Sequence, residues 1–285
     1  MKISIAKHAG ISTAYPYYSE GLVEVNGPQI ENFLTHVRDL KKDLKDVMEL
    51  LLKEVRHAND YGIYFRGQNR ACLSLLPSAG RLGYAYNKDQ ERNLLHRFRR
   101  ESYGHYDRLL TDWETIFLAR HHYLPCRLLE WSENPLVGLF WACYEDRYFN
   151  CDGALWVLVR QPDEQWDLNV FDTPLFHYKY AGDFDFLVKG VKLLYPFNVS
   201  PRITAQACIF TYQDNPLQPL TEYHPTTQKR KDFDIFHLQK WTVPKRFKKD
   251  LLKELSDIGI NFQSMCPDVQ GLGEGIPQVE SLRRH

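Results

Sequence analysis

The feature that most constrains this chain is a strand, a helix without a polar face and a second strand, all between residues 126 and 158. CRLLEW reads as a short strand. SENP follows, with Asn134 placed as an N-cap and Pro135 at the first helical position, where its missing N–H costs nothing. The next residues, LVGLFWACYE, are apolar on nearly every side, so the helix they form must be covered all round. Asp152-Gly153 is a turn signal and ALWVLV after it is a strand. A buried helix between two strands is most economically housed in a mixed α/β layer.

Other segments fit around that block. Residues 1–27 are turn-rich. From Ile30 to Val55 apolar residues recur at helical spacing among many charges, which predicts an amphipathic helical lead-in. YGIYFRGQ, residues 61–68, suits a strand whose last side chain, Arg66, points out at a turn made by Gly67. Lys88 to Asp107 reads as a helix, with Leu94, Leu95, Phe98 and Tyr106 on or near one face. Thr111 and Glu114 form a capping box, so a further helix starts at Asp112. On it Trp113, Phe117 and His121 share a side, which turns His121 inward and leaves His122 rotated away by about 100°. Pro125 stops that helix. Later, RITAQACIF (202–210) and HLQKWTV read as strands, and Phe247 to Ile258 as a closing helix with Gly259 at its C′ position.

Composition narrows the function classes. Lys+Arg and Asp+Glu are 36 each, so the formal charge is zero and the broad positive field of a dedicated nucleic-acid binder is missing. The six cysteines form no C-x-x-C pair, which argues against a zinc ribbon or a thioredoxin motif and suits reduced thiols in a cytoplasmic protein. The longest apolar run, NPLVGLFWACY, is well short of the roughly 20 residues that cross a bilayer. The N-terminus has no continuous apolar stretch of signal-peptide type. No membrane association is expected.

Familiar catalytic and cofactor signatures are missing: there is no Walker A, H-E-x-x-H, G-x-S-x-G or strand-linked G-x-G-x-x-G. QGLGEGIP, near the C-terminus, has neither a strand before it nor a clear helix after it, and reads as a flexible tail. Neighbouring His121 and His122 diverge too widely on a helix to chelate one ion, so no metal is expected. His121 is either a hydrogen-bonded core histidine or a ligand-contacting one. Arg66 is either a solvated strand-end arginine or one presenting its planar fork to a phosphate or carboxylate, with Gly67 allowing close approach. Arg127, Glu130 and Asn134 flank the buried helix, whose N-terminus suits an anion. They serve equally well as a structural polar network.

Several pieces also fall in a known order: YFRGQ at 64–68, LLPSAGR at 75–81, Glu91 opening a helix, ARHHYLPCRLLEWSENPLVGLFWAC at 119–143, DGALWVL at 152–158, PRITAQACIF at 201–210 and GINFQSMCPDVQGL at 259–272. This resembles the FRG-domain family, named for its F/Y-R-G motif, whose central block is similar to A-Q-H-Y-G-L-P-T-R-L-L-D-W-T-x-N-P-L. The resemblance picks out Arg66, Gly67, His121, Pro125, Arg127, Leu128, Leu129, Trp131, Asn134, Pro135 and Gln206. The chain departs from the pattern at Arg120 (Gln), Tyr123 (Gly), Cys126 (Thr), Glu130 (Asp), Ser132 (Thr) and Ala207-Cys208 (Gln-Gly).

The order of elements is in turn similar to that of ADP-ribosyltransferases, which bind NAD in a split sheet flanked by helices. That likeness implies NAD as substrate without a metal, and a macromolecular acceptor, protein or nucleic acid. It also implies a bacterial or phage-related setting, as a toxin or defence effector, with an antitoxin or regulatory partner. Loss of nicotinamide leaves an oxocarbenium-like ribose, so such a site needs a phosphate clamp, an aromatic wall and a hydrogen-bond acceptor. Arg66 would then grip the pyrophosphate or a ribose, with Gly67, Arg127 and Asn134 beside it. His121 would bind a ribose hydroxyl, Trp131 or Tyr123 would stack, and Gln206 would orient the ribose or the acceptor. Glutamine cannot take a proton, which makes Glu130 the candidate base. Two rival readings stand beside this one: a metal-independent nuclease or other hydrolase using His121 and Glu130, and a non-catalytic module recognising an anion through Arg66 and Arg127. The division expected is a helical lead-in at 1–58, the FRG domain at 59–275 and a tail at 276–285.

Overall fold

The computed structural model describes residues 23–25, 62–160, 167–178, 184–223 and 236–283. The strands, in chain order, are β1 (Val23–Val25), β2 (Gly62–Gln68), β3 (Leu128–Ser132), β4 (Gly153–Arg160), β5 (Asp167–Leu168), β6 (Phe176–Tyr178), β7 (Phe184–Phe186), β8 (Val191–Leu194), β9 (Cys208–Gln213) and β10 (Phe236–Val243). The helices are α1 (Lys88–Glu101), α2 (Tyr103–Tyr106), α3 (Asp112–His121), α4 (Pro135–Cys143), α5 (Pro201–Ala205), α6 (Lys248–Asp257), α7 (Phe262–Met265) and α8 (Val269–Arg283). The class is mixed α/β, as the strand–helix–strand block requires. The expected helical lead-in at 30–55 lies outside the described residues.

The chain divides into two compact units, each drawn from separate segments. The first comprises the described parts of Met1–Leu73, Ser132–Pro162 and Pro225–His285. In it β1 runs parallel to β10, β10 antiparallel to β4, and β4 antiparallel to β2. Asn134 accepts a hydrogen bond from the Leu136 N–H and Pro135 occupies the first turn, so α4 starts where its sequence places it. Leu139, Phe140, Leu155, Leu252 and Phe262 share its core. Gly67 is what lets α4 lie on β2: a Cβ there would land on the Gly138 carbonyl oxygen and the Ala142 nitrogen. Buried Lys248 donates to the carbonyls of Asn69 (2.6 Å) and Tyr148 (3.0 Å), fixing the start of α6 against the loop after β2.

The second unit comprises Ser74–Trp131 and the described parts of Asp163–His224. Here β3 neighbours β9, β9 pairs antiparallel with β8, and β8 pairs parallel with β5. Thr111 and Glu114 close the capping box at the start of α3. The inward side of α3 carries Trp113 stacked on Phe117, and Phe117 stacked on Phe210 of β9.

Four expectations change. The strand expected over 202–210 is α5 followed by β9, because Ser200 caps the Arg202 N–H ahead of Pro201 and Ala207 turns the chain at φ +45°. The helix expected over 88–107 breaks at Ser102 into α1 and α2. Strand β2 continues to Gln68, so Arg66 lies inside the strand, opposite Trp156 of β4, and not at its end. The glycine-rich segment expected as a flexible tail is helix α8, with Asp268 accepting from the Gly271 N–H. Side chains at Gly271 and Gly275 would strike Cys266 and Gln263, so the glycines let α8 pack closely. Among the described residues no helix is long and apolar enough to cross a membrane.

Candidate functional site

The candidate chemistry gathers in the second unit, where α3, β3, α5 and β9 meet. His121 ends α3 with its side chain 2% exposed. Its ring lies edge-on to Phe210, 5.8 Å between centroids. The turn after it is left-handed at Tyr123, φ +61°, where the family pattern has glycine. A non-glycine residue there costs about 1–2 kcal/mol. Buried Arg202 of α5 donates to the His121 carbonyl at 3.1 Å, completing the C-terminal end of α3 with a cation.

Glu130 is the centre of the group. Its Oε2 pairs with Arg120 at 3.2 Å, and its Oε1 accepts from the Cys208 thiol at 3.3 Å and stands 3.9 Å from His121 Nδ1. The Glu130 side chain is 17% exposed, so the buried group meets water at this residue. His121 Nε2 is buried without a hydrogen-bond partner. Burial lowers the His121 pKa, against the pull of Glu130 and with the help of Arg120 and Arg202. The imidazole is therefore neutral near pH 7, with Nε2 unengaged and Nδ1 turned toward an arginine-held carboxylate. Such a pair can exchange a proton or orient a hydroxyl.

The other residues singled out in the sequence sit as follows. Gln206 is buried at the end of α5, in the same unit as His121 and Glu130. Tyr123 is 58% exposed. Trp131 is buried, its indole N–H donating to Thr211 Oγ1 at 3.0 Å, so its face is covered. The Arg127 guanidinium donates to both carboxylate oxygens of Glu91 (2.7 and 3.1 Å), to Tyr86 and Tyr212, and to the Asp214 carbonyl. It is a core network and not an anion receptor. Burial pushes the Tyr212 phenol up to about 12 despite Arg127 beside it. Asn134 caps α4, and the space beside Gly67 is taken by the α4 backbone. Arg66, half-buried, belongs with Gly67 and Asn134 to the first unit.

Arg120, Arg202 and Cys208 were not among the sequence candidates. A signal did exist: Arg120, Glu130 and Cys208 all depart from the family pattern, and the three side chains touch one another through Glu130. Departures that meet in space read as a coordinated change of chemistry.

No curated protein and no solved structure matches the chain significantly. The model of the FRG domain matches residues 62–151, which include the F/Y-R-G strand, α3, β3 and α4. That span, with the F-R-G tripeptide at its head and His121 and Glu130 inside it, is the part of the chain that is similar to the FRG domain.

Proposed function

We propose that this FRG-domain protein transfers ADP-ribose from NAD to a macromolecular acceptor, as a toxin or defence effector of the bacterial or phage kind. The observation that carries the reading is the His121–Glu130 pair: a buried neutral imidazole 3.9 Å from the carboxylate of a partly exposed glutamate held by Arg120. Breaking the bond between ribose and nicotinamide builds positive charge on the sugar. An ionised carboxylate stabilises that charge and takes the proton of the incoming acceptor group, while the free imidazole nitrogen binds a ribose hydroxyl. Tyr123 offers an exposed ring for stacking, and Gln206 an amide for the ribose or acceptor.

The same pair also supports metal-independent hydrolysis of a phosphodiester, because an imidazole beside a carboxylate is an acid/base couple whatever the bond. One experiment separates the two. The full chain is incubated with labelled NAD and a cell lysate in the presence of a chelator, and in parallel with RNA or DNA without NAD. Transfer of label to protein or nucleic acid is expected, with Glu130→Gln lowering the rate by about 100-fold or more. Label transfer unchanged in both Glu130→Gln and His121→Ala overturns the assignment of the site. Nucleotide release without NAD, and no label transfer, replaces the reading with the hydrolase.

A further inference from the structure

We propose that His121, Glu130 and Cys208 form a binding site for a thiophilic divalent cation of the Zn²⁺ class. Each offers one ligand atom, and these atoms lie within 4.8 Å of one another. Two of the separations are 3.3 Å, Cys208 Sγ to Glu130 Oε1, and 3.9 Å, Glu130 Oε1 to His121 Nδ1. In a tetrahedral zinc site with bonds of about 2.0–2.3 Å, neighbouring ligand atoms stand roughly 3.3–3.5 Å apart. The histidine–glutamate distance is too long for a hydrogen bond but suits two ligands of one ion after a small contraction.

His121 is buried and turns Nδ1 toward Glu130. The donor set selects the ion: thiolate and imidazole favour Zn²⁺ over Mg²⁺ or Ca²⁺. A thiolate and a carboxylate together balance its charge. Two arginines face the group. Arg120 engages Glu130 Oε2, while Oε1 is the oxygen beside Cys208 Sγ and His121 Nδ1, and Arg202 donates to the His121 carbonyl. Arg120 therefore acts as an outer partner that orients a monodentate carboxylate. The partial exposure of Glu130 admits the ion and a water as fourth ligand. His121 and His122 diverge on their helix, whereas these three ligands come from separate stretches of chain: α3, β3 and β9.

Metal and substrate would compete for His121 and Glu130, so the test uses no NAD and its failure leaves the transfer reading untouched. The full chain, stripped with chelator, is titrated with Co²⁺. The expected result is one equivalent bound, with the visible bands of tetrahedral Co²⁺ and a thiolate-to-cobalt charge-transfer band, both erased by Zn²⁺. Cys208→Ser, checked for folding by circular dichroism, removes the charge-transfer band. Glu130→Gln, at the partly exposed position, weakens uptake at least about tenfold. A wild-type chain without the charge-transfer band overturns the proposal, as does a band that survives Cys208→Ser or affinity unaltered in Glu130→Gln.

Discussion

Arg127 lies with its guanidinium 3.3 Å over the Phe186 ring and both Glu91 oxygens on its donors, and both side chains are 2% exposed. An ion pair this deep contributes less than its Coulomb attraction suggests, because both ions have left water. Losing one partner strands the other charge, at a cost of about 3–5 kcal/mol. Glu91→Ala is therefore expected to lower the unfolding free energy by about that amount in urea titrations, and the double change with Arg127→Met to recover part of it. A single-variant cost below about 1 kcal/mol, the range of an exposed pair, contradicts the network. The sequence marks Arg127 as unusual but leaves its work open, since Glu91 is 36 positions away and Tyr212 is 85. His121 is different. Its inward direction follows from spacing along α3, while the company it keeps, Glu130 and Cys208, depends on where β3 and β9 run.

Elements with local start signals were legible. Asn134-Pro135, Thr111 with Glu114, and Gly259 (φ +88°) each act within a few residues of the helix end they mark. Helix α5 is hard to read because its Ser200-Pro201 start lies in a run rich in β-formers, and at five residues its propensity signal is short. Gly67 illustrates a constraint between elements. Its place in the F-R-G motif suggests room for a ligand, and the room is filled by the backbone of α4. Gly67→Ala must push α4 off β2, and overpacking of this kind costs about 1–3 kcal/mol. Lower thermal stability is expected by calorimetry, and an unchanged melting temperature contradicts the contact.

At the scale of the molecule, the segment matched by the family model, residues 62–151, is not a unit by itself. It holds β2 without β4 beside it, and β3 without β9. One core lacks Leu155, Leu251, Leu252, Leu255 and Phe262, and the other lacks Phe176, Phe210 and Tyr212. A fragment spanning 62–151 is expected to show the narrow amide dispersion of an unfolded chain by NMR, whereas the full chain shows a dispersed spectrum. A folded fragment contradicts the interleaved architecture. The sequence by itself determined the α/β class, the buried α4 and the ends of most helices, because periodicity and capping act over a few residues. Tertiary structure alone decided that Arg127 belongs to a core network, that Gly67 receives a helix, and that Glu130 joins His121 to Cys208. Those outcomes depend on segments tens of residues apart along the chain, and a burial or a charge pair between such segments has no local signature.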